Sequence, residues 1–186
     1  MKLGTYLRPA TGVLALVALI GLGSGAALAQ GAGRSAGTGP QFLGDEPSYI
    51  DFGAGAFDIQ AHRESPTTPE GRVEFRYGQK LLYLGPAAGL LANTRGGIFG
   101  YAGLYADIAW GRVVLTPLGA VGAYRRGSSE DLGGTFQFRT SVDLAYEFDS
   151  RSRLGVQFAH ISNAGIRKRN PGDNELLATY ALPLPF

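Results

Sequence analysis

No cysteine occurs in the 186 residues, which excludes a disulfide frame, a thiolate metal site and a cysteine nucleophile. Histidine occurs only twice, as His62 and His160. His62 lies in a polar stretch with no partner pattern and reads as solvated. An excess of one charge is missing too. Two of the seventeen cations, Lys2 and Arg8, fall in the first 29 residues, and the remaining fifteen balance fifteen acids. The basic character of the whole chain therefore comes from its leader and gives no support to a nucleic-acid partner. Beyond that leader no apolar run is long enough to cross a bilayer as a helix.

The leader has its own signature. Lys2 and Arg8 precede the apolar "GVLALVALIGLG", and Ala27-Leu28-Ala29 has the small-x-small form that signal peptidase requires. Residues 1–29 are expected to be a cleaved signal peptide. Residues 30–47, rich in Gly, Ser and Pro without a period, are expected to be a poorly ordered lead-in, and 48–186 to be the folded domain. An exported chain without disulfides must be held by hydrogen bonds and burial alone.

Eight candidate strands follow: "SYIDFGAGAFDIQ", "GRVEFRYGQ", "LLYLGPAAGLLAN", "GIFGYAGLYADIAW", "RVVLTPLGAVGAYR", "TFQFRTSVDLAYEF", "RLGVQFAHISN" and "NELLATYALPLPF". Three alternate sharply. In the sixth, Phe136, Phe138, Val142, Leu144, Tyr146 and Phe148 share one face, and Gln137, Arg139, Ser141, Asp143 and Glu147 the other. The second opposes Val73, Phe75 and Tyr77 to Arg72, Glu74 and Arg76, and the seventh opposes Leu154, Val156 and Phe158 to Arg153 and Gln157. The Gly- and Ala-rich first, third, fourth and fifth leave their facing open.

Three features turn the apolar face toward lipid. The strands have roughly the length that a tilted strand needs to span a bilayer. Short connections ("GQK", "WGR", "FDSRSR") alternate with long ones ("AHRESPTTPEG", "NTRGG", "RRGSSEDLGG", "AGIRKRNPGD"), as periplasmic turns alternate with external loops. The chain ends on Phe186, in parity with Tyr180, Leu182 and Leu184, which resembles the C-terminal signal of bacterial outer-membrane proteins. The expectation is all-β: an eight-stranded antiparallel transmembrane β-barrel, closed because hydrocarbon tolerates no unpaired edge, with a side-chain-filled, ion-paired interior. Trp110 fits an aromatic girdle on the periplasmic side.

If the C-terminus is periplasmic, the seventh strand climbs toward the external leaflet. The parity of Leu154, Val156 and Phe158 then continues outward to His160 and Ser162. A polar pair at lipid level is costly unless it has partners and a use. Two residues apart on a strand means one face and roughly 6.6 Å between Cα atoms, within reach for an imidazole to take a serine proton. A third group must hold the ring. Asn174 has the outward parity of the eighth strand, and the adjacent Glu175 has the inward parity and serves only if a bulge turns it. Asn163, Asn170 and the backbone N–H near Gly165 are candidate oxyanion donors. Arg167, Lys168 and Arg169 suit the phosphates of a lipid headgroup. "SSED", Ser128 to Asp131, lacks any metal-ligand spacing and reads as a turn.

His160-x-Ser162-Asn163-Ala164-Gly165, followed by Asn170-Pro171-Gly172 and a polar entry to the last strand, resembles the signature of the PagL family of outer-membrane lipid A 3-O-deacylases. The resemblance implies an eight-stranded barrel in which His160 and Ser162, with an acidic third member, remove the ester-linked 3-hydroxyacyl chain at position 3 of lipid A without a cofactor or metal. Asn170 falls where the family has a loop asparagine that helps the oxyanion. The acid departs from the pattern: an ungapped count puts Asn174 where the family has Glu, with Glu175 one step beyond. Either this branch uses Asn, as outer-membrane phospholipase A does, or a one-residue shift brings Glu175 in. The implied partners are lipid A within lipopolysaccharide and the outer membrane, with a homodimer left open. A phospholipase, for which this chain is short, and a non-enzymatic small barrel are the competing readings.

Overall fold

The computed structural model describes residues 39–60 and 66–185. The expected signal peptide, residues 30–38 of the lead-in, His62 and Phe186 lie outside them. The strands are β1 (Gln41–Phe42), β2 (Tyr49–Phe57), β3 (Thr68–Arg76), β4 (Gly85–Asn93), β5 (Ile98–Tyr105), β6 (Ile108–Trp110), β7 (Val113–Arg125), β8 (Phe136–Glu147), β9 (Arg153–Ser162) and β10 (Asp173–Pro183). Eight of them pair antiparallel in the ring β2-β3-β4-β5-β7-β8-β9-β10, which β10 closes on β2. The short β1 and β6 are additions at one rim, called lower here, and the loops after β4, β7 and β9, with residues 58–60 and 66–67 beside them, form the upper rim.

Alternation sorts the side chains as polarity predicts. Val73, Leu90, Leu104, Leu144, Val156 and Phe158 are exposed on the outer wall. Inside, Arg72 reaches Asp51 at 3.0 Å, and Arg76 joins Asp51 (2.8 Å), Glu74 (2.7 Å) and Asp143 (3.2 Å). Tyr101 donates to Glu74 at 2.6 Å. Toward the upper rim, Phe57, Leu91, Phe99, Tyr124, Leu132 and Ile161 form an apolar plug. The interior is therefore filled, as expected for eight strands. The glycines that obscured the third strand make room for neighbours: a Cβ on Gly89 would stand 2.5 Å from the Tyr101 ring, and one on Gly85 2.6 Å from that of Tyr105.

Several boundaries differ from expectation, and three of the differences have a clear cause. Leu81–Leu84, read as the start of the third strand, are a tight turn closed by Leu81 N to Leu84 O (2.9 Å) and its reciprocal (3.0 Å), with positive φ at Leu82 and Tyr83. Turns of this hand match the twist of a hairpin, so apolar composition misled where conformation decided. The fourth strand is broken at Ala106–Asp107 between β5 and β6 because Asp107 turns inward to Lys80 (2.9 Å), Thr116 (2.6 Å) and Arg153 (3.2 Å). Burial works to raise the Asp107 carboxyl, but the Arg153 and Lys80 charges prevail and hold it below the ordinary range.

Residues 39–47 are not a loose lead-in. Beyond the β1–β6 pairing, Asp45 accepts from Lys80 N (2.9 Å), Glu46 N donates to Gly78 O (3.0 Å), and Glu46 pairs with Arg151 and Arg153. Charge complementarity with the lower rim, which composition does not reveal, fastens the arm there. Trp110, Tyr77, Tyr146 and Phe148 are exposed on the barrel's outer wall at that rim.

Candidate active site at the upper rim

The top of β9 carries the site. Leu154, Val156 and Phe158 point out, and His160 and Ser162 continue that face, half-buried, while Ala159, Ile161 and Asn163 point in. The register places His160 between Thr140 on β8 and Asn174 on β10, and Ser162 beside Phe138. His160 Nδ1 lies 2.8 Å from Asn174 Oδ1. Because that oxygen accepts, Nδ1 carries the proton and Nε2 the lone pair, the tautomer a general base needs. The Asn174 backbone is itself fixed, its main-chain carbonyl accepting Ile59 N at 3.0 Å.

Glu175 faces the other way. It is fully buried inside the barrel and paired with Arg139, which also donates to Gln157 at 3.0 Å. No bulge turns it, so the structure brings Asn174 to His160 and leaves Glu175 apart.

The expected oxyanion donors divide. Asn163 is fully buried and its amide is spent on the loop: Nδ2 donates to Leu132 O (2.8 Å) and Arg169 O (2.7 Å), and Oδ1 accepts from Gly165 N (3.0 Å). The expectation that Asn163 and the Gly165 N–H serve an oxyanion is therefore corrected, since both are used in an Asx turn that closes the β9–β10 connection. Asn170 accepts the Asn163 N–H at 2.9 Å through Oδ1, so its Nδ2 remains a donor at the exposed loop.

The basic run divides too. Arg169 donates to Glu130 (3.0 Å) and to Asp131 O (3.0 Å), tying its loop to the β7–β8 connection, while Arg167 and Lys168 are exposed. That connection is tied in turn to the β4–β5 loop by Ser129 to Asn93 (2.8 Å) and Arg95 to Ser128 O (2.9 Å). Sequence reasoning missed the anchoring role of Asn163 and Arg169. Asn-Ala-Gly at a strand end was the available signal, because asparagine there folds the backbone onto its own side chain.

A closed barrel with an apolar outer wall, a charged core and His160, Ser162 and Asn174 together on that wall defines an outer-membrane protein. The profile of the lipid A 3-O-deacylase (PagL) family matches residues 48–183, and the chain belongs to that family. It is 37% identical over 49 residues to lipid A deacylase PagL of Bordetella bronchiseptica (strain ATCC BAA-588 / NCTC 13252 / RB50), a match covering 26% of this chain and only 28% of the relative. Its fold is similar to the crystal structure of the outer membrane enzyme PagL, with TM-score 0.56, 17% identity and coverage of 73% of this chain and 99% of the other. Neisserial surface protein A is similar at TM-score 0.54, 16% identity and coverage of 76% and 100%.

Proposed function

We propose that this protein is a serine-type lipid A 3-O-deacylase acting in the outer leaflet. The observation that carries the reading is the 2.8 Å contact between His160 Nδ1 and Asn174 on the lipid-facing wall, with Ser162 two residues along the same face. Ser162 Oγ attacks the ester carbonyl at position 3 as His160 Nε2 takes its proton. Asn170 Nδ2 donates to the oxyanion. Collapse expels the sugar hydroxyl, protonated by the imidazolium, and leaves the 3-hydroxyacyl group on Ser162. Water then enters, gives its proton to His160 and releases a free 3-hydroxy fatty acid. Asn174 keeps the ring in the productive tautomer throughout. Arg167 and Lys168, exposed beside the site, bind the substrate's phosphates.

The family profile and the outward parity support the activity and the substrate side, and the long loops at the upper rim support an outer-leaflet orientation. Mass spectrometry of lipid A from bacteria expressing the wild type, Ser162→Ala and His160→Ala tests it. Loss of one 3-hydroxyacyl chain with the wild type alone is expected. Unchanged lipid A together with altered phospholipid would overturn the reading in favour of a phospholipase, and no lipid change at all would favour a non-enzymatic barrel.

A further inference from the structure

We infer that Gly172 is a positioning residue for His160, its bare backbone leaving the space that the Cε1–Nε2 edge of the imidazole occupies. The inference rests on the proposed role of His160 as general base. The ring's Nδ1 edge is held by Asn174. Its adjoining Cε1–Nε2 edge meets Gly172: a Cβ built there would stand 2.8 Å from His160 Cε1, 3.4 Å from Nε2 and 3.7 Å from Ile161 O. Ordinary carbon contacts begin near 3.5 Å, so a single methyl group takes space that the imidazole now occupies.

Something must move, and the surroundings decide what. Gly172 is buried and adopts φ +71°. The next two residues are fastened to the end of β2, Asp58 N donating to Asp173 Oδ1 at 2.7 Å and Ile59 N to Asn174 O at 3.0 Å. The backbone at 172–174 is therefore the fixed partner. The imidazole is the free end of a side chain on the outer wall, and it gives way. A displacement on the order of half an ångström turns Nδ1 off Asn174 and shifts Nε2, the proposed proton acceptor, which lowers the rate without touching the substrate's headgroup contacts.

The experiment compares Gly172→Ala with Gly96→Ala in the full-length protein in detergent. Gly96 has nearly the same backbone, φ +81°, but its added Cβ would meet nothing nearer than Gly127 Cα at 3.9 Å. The control thus carries the left-handed strain without the contact. Gly172→Ala is expected to lower kcat on purified lipid A about tenfold or more with KM within about twofold. With only two histidines in the chain, the imidazole NMR spectrum gives a readout independent of turnover, and the His160 Cε1–H resonance should move in Gly172→Ala and stay in place in Gly96→Ala. An unmoved resonance, an unchanged kcat, or an equal loss in Gly96→Ala each overturns the inference. A wild type that cleaves no ester overturns the proposed function instead, and the resonance comparison still tests the packing.

Discussion

The sharpest prediction separates two adjacent residues. Asn174→Ala removes one hydrogen bond, the 2.8 Å contact to His160 Nδ1, from a half-buried outer position where lipid or water fills the gap. A neutral hydrogen bond contributes about 1 kcal/mol net. Loss of tautomer control adds to that in the transition state, so a loss of about 1–2 kcal/mol, roughly 5- to 30-fold in kcat, is expected with nearly unchanged stability. Glu175→Gln should do the reverse. It removes a charge from a fully buried pair and leaves Arg139 uncompensated in the barrel core, where breaking such a pair costs about 3–5 kcal/mol. The cost should fall at the low end, because Arg139 keeps Gln157 at 3.0 Å and lies 5.1 Å over the Tyr101 ring. The assay is release of 3-hydroxy fatty acid from purified lipid A, paired with a urea unfolding midpoint for each variant. Asn174→Asp should keep or exceed the wild-type rate, since a charge-assisted bond to the ring is about twice as strong. The reasoning is refuted if Asn174→Ala keeps kcat within twofold while Glu175→Gln loses activity at an unshifted midpoint.

Asn163→Ala frees two loop carbonyls and the Gly165 N–H, so trypsin should cut at Arg167–Arg169 faster than in the wild type while the barrel stays folded. The double variant Arg167→Ala/Lys168→Ala should raise KM several-fold, at roughly 0.5–1 kcal/mol per exposed phosphate contact, with kcat preserved and the KM difference shrinking as salt rises. The depressed Asp107 carboxyl stabilises the fold above the ordinary carboxylate range, and that contribution is lost as pH falls through its lowered folded value. Asp107→Asn should therefore lower the unfolding midpoint at about pH 7, with the gap to wild type closing as pH falls from the ordinary carboxylate range through the lowered folded value.

Much of the barrel was legible because a two-faced strand writes its environment into every second residue. Phe158, His160 and Ser162 share a parity, and so do Asn174 and Leu176, so the outward polar group could be located before any contact was known. The same parity rule placed Glu175 inside, but whether a bulge overrode it was not readable. The pairing Asn174↔His160 in an unbroken ladder is what excludes the bulge. Elsewhere composition misled where conformation ruled. Leu81–Leu84 look like strand and form a turn, and residues 39–47 look loose and are fastened by Asp45 to the backbone N–H of Lys80 and by Glu46 to the cations of Arg151 and Arg153. Asn163 and Asn170 looked alike as amide donors, and only packing shows that one is consumed in holding the loop.

The sequence by itself determined a closed eight-stranded membrane barrel and the outward His160–Ser162 pair, because both follow from period-two alternation along single strands. The tertiary structure decided which neighbour holds the imidazole, which loop amides remain for a substrate, and that Gly172 meets the ring's Cε1–Nε2 edge. Those depend on the register between strands and the packing of the upper-rim loops, distances between residues far apart in the chain that no local pattern encodes.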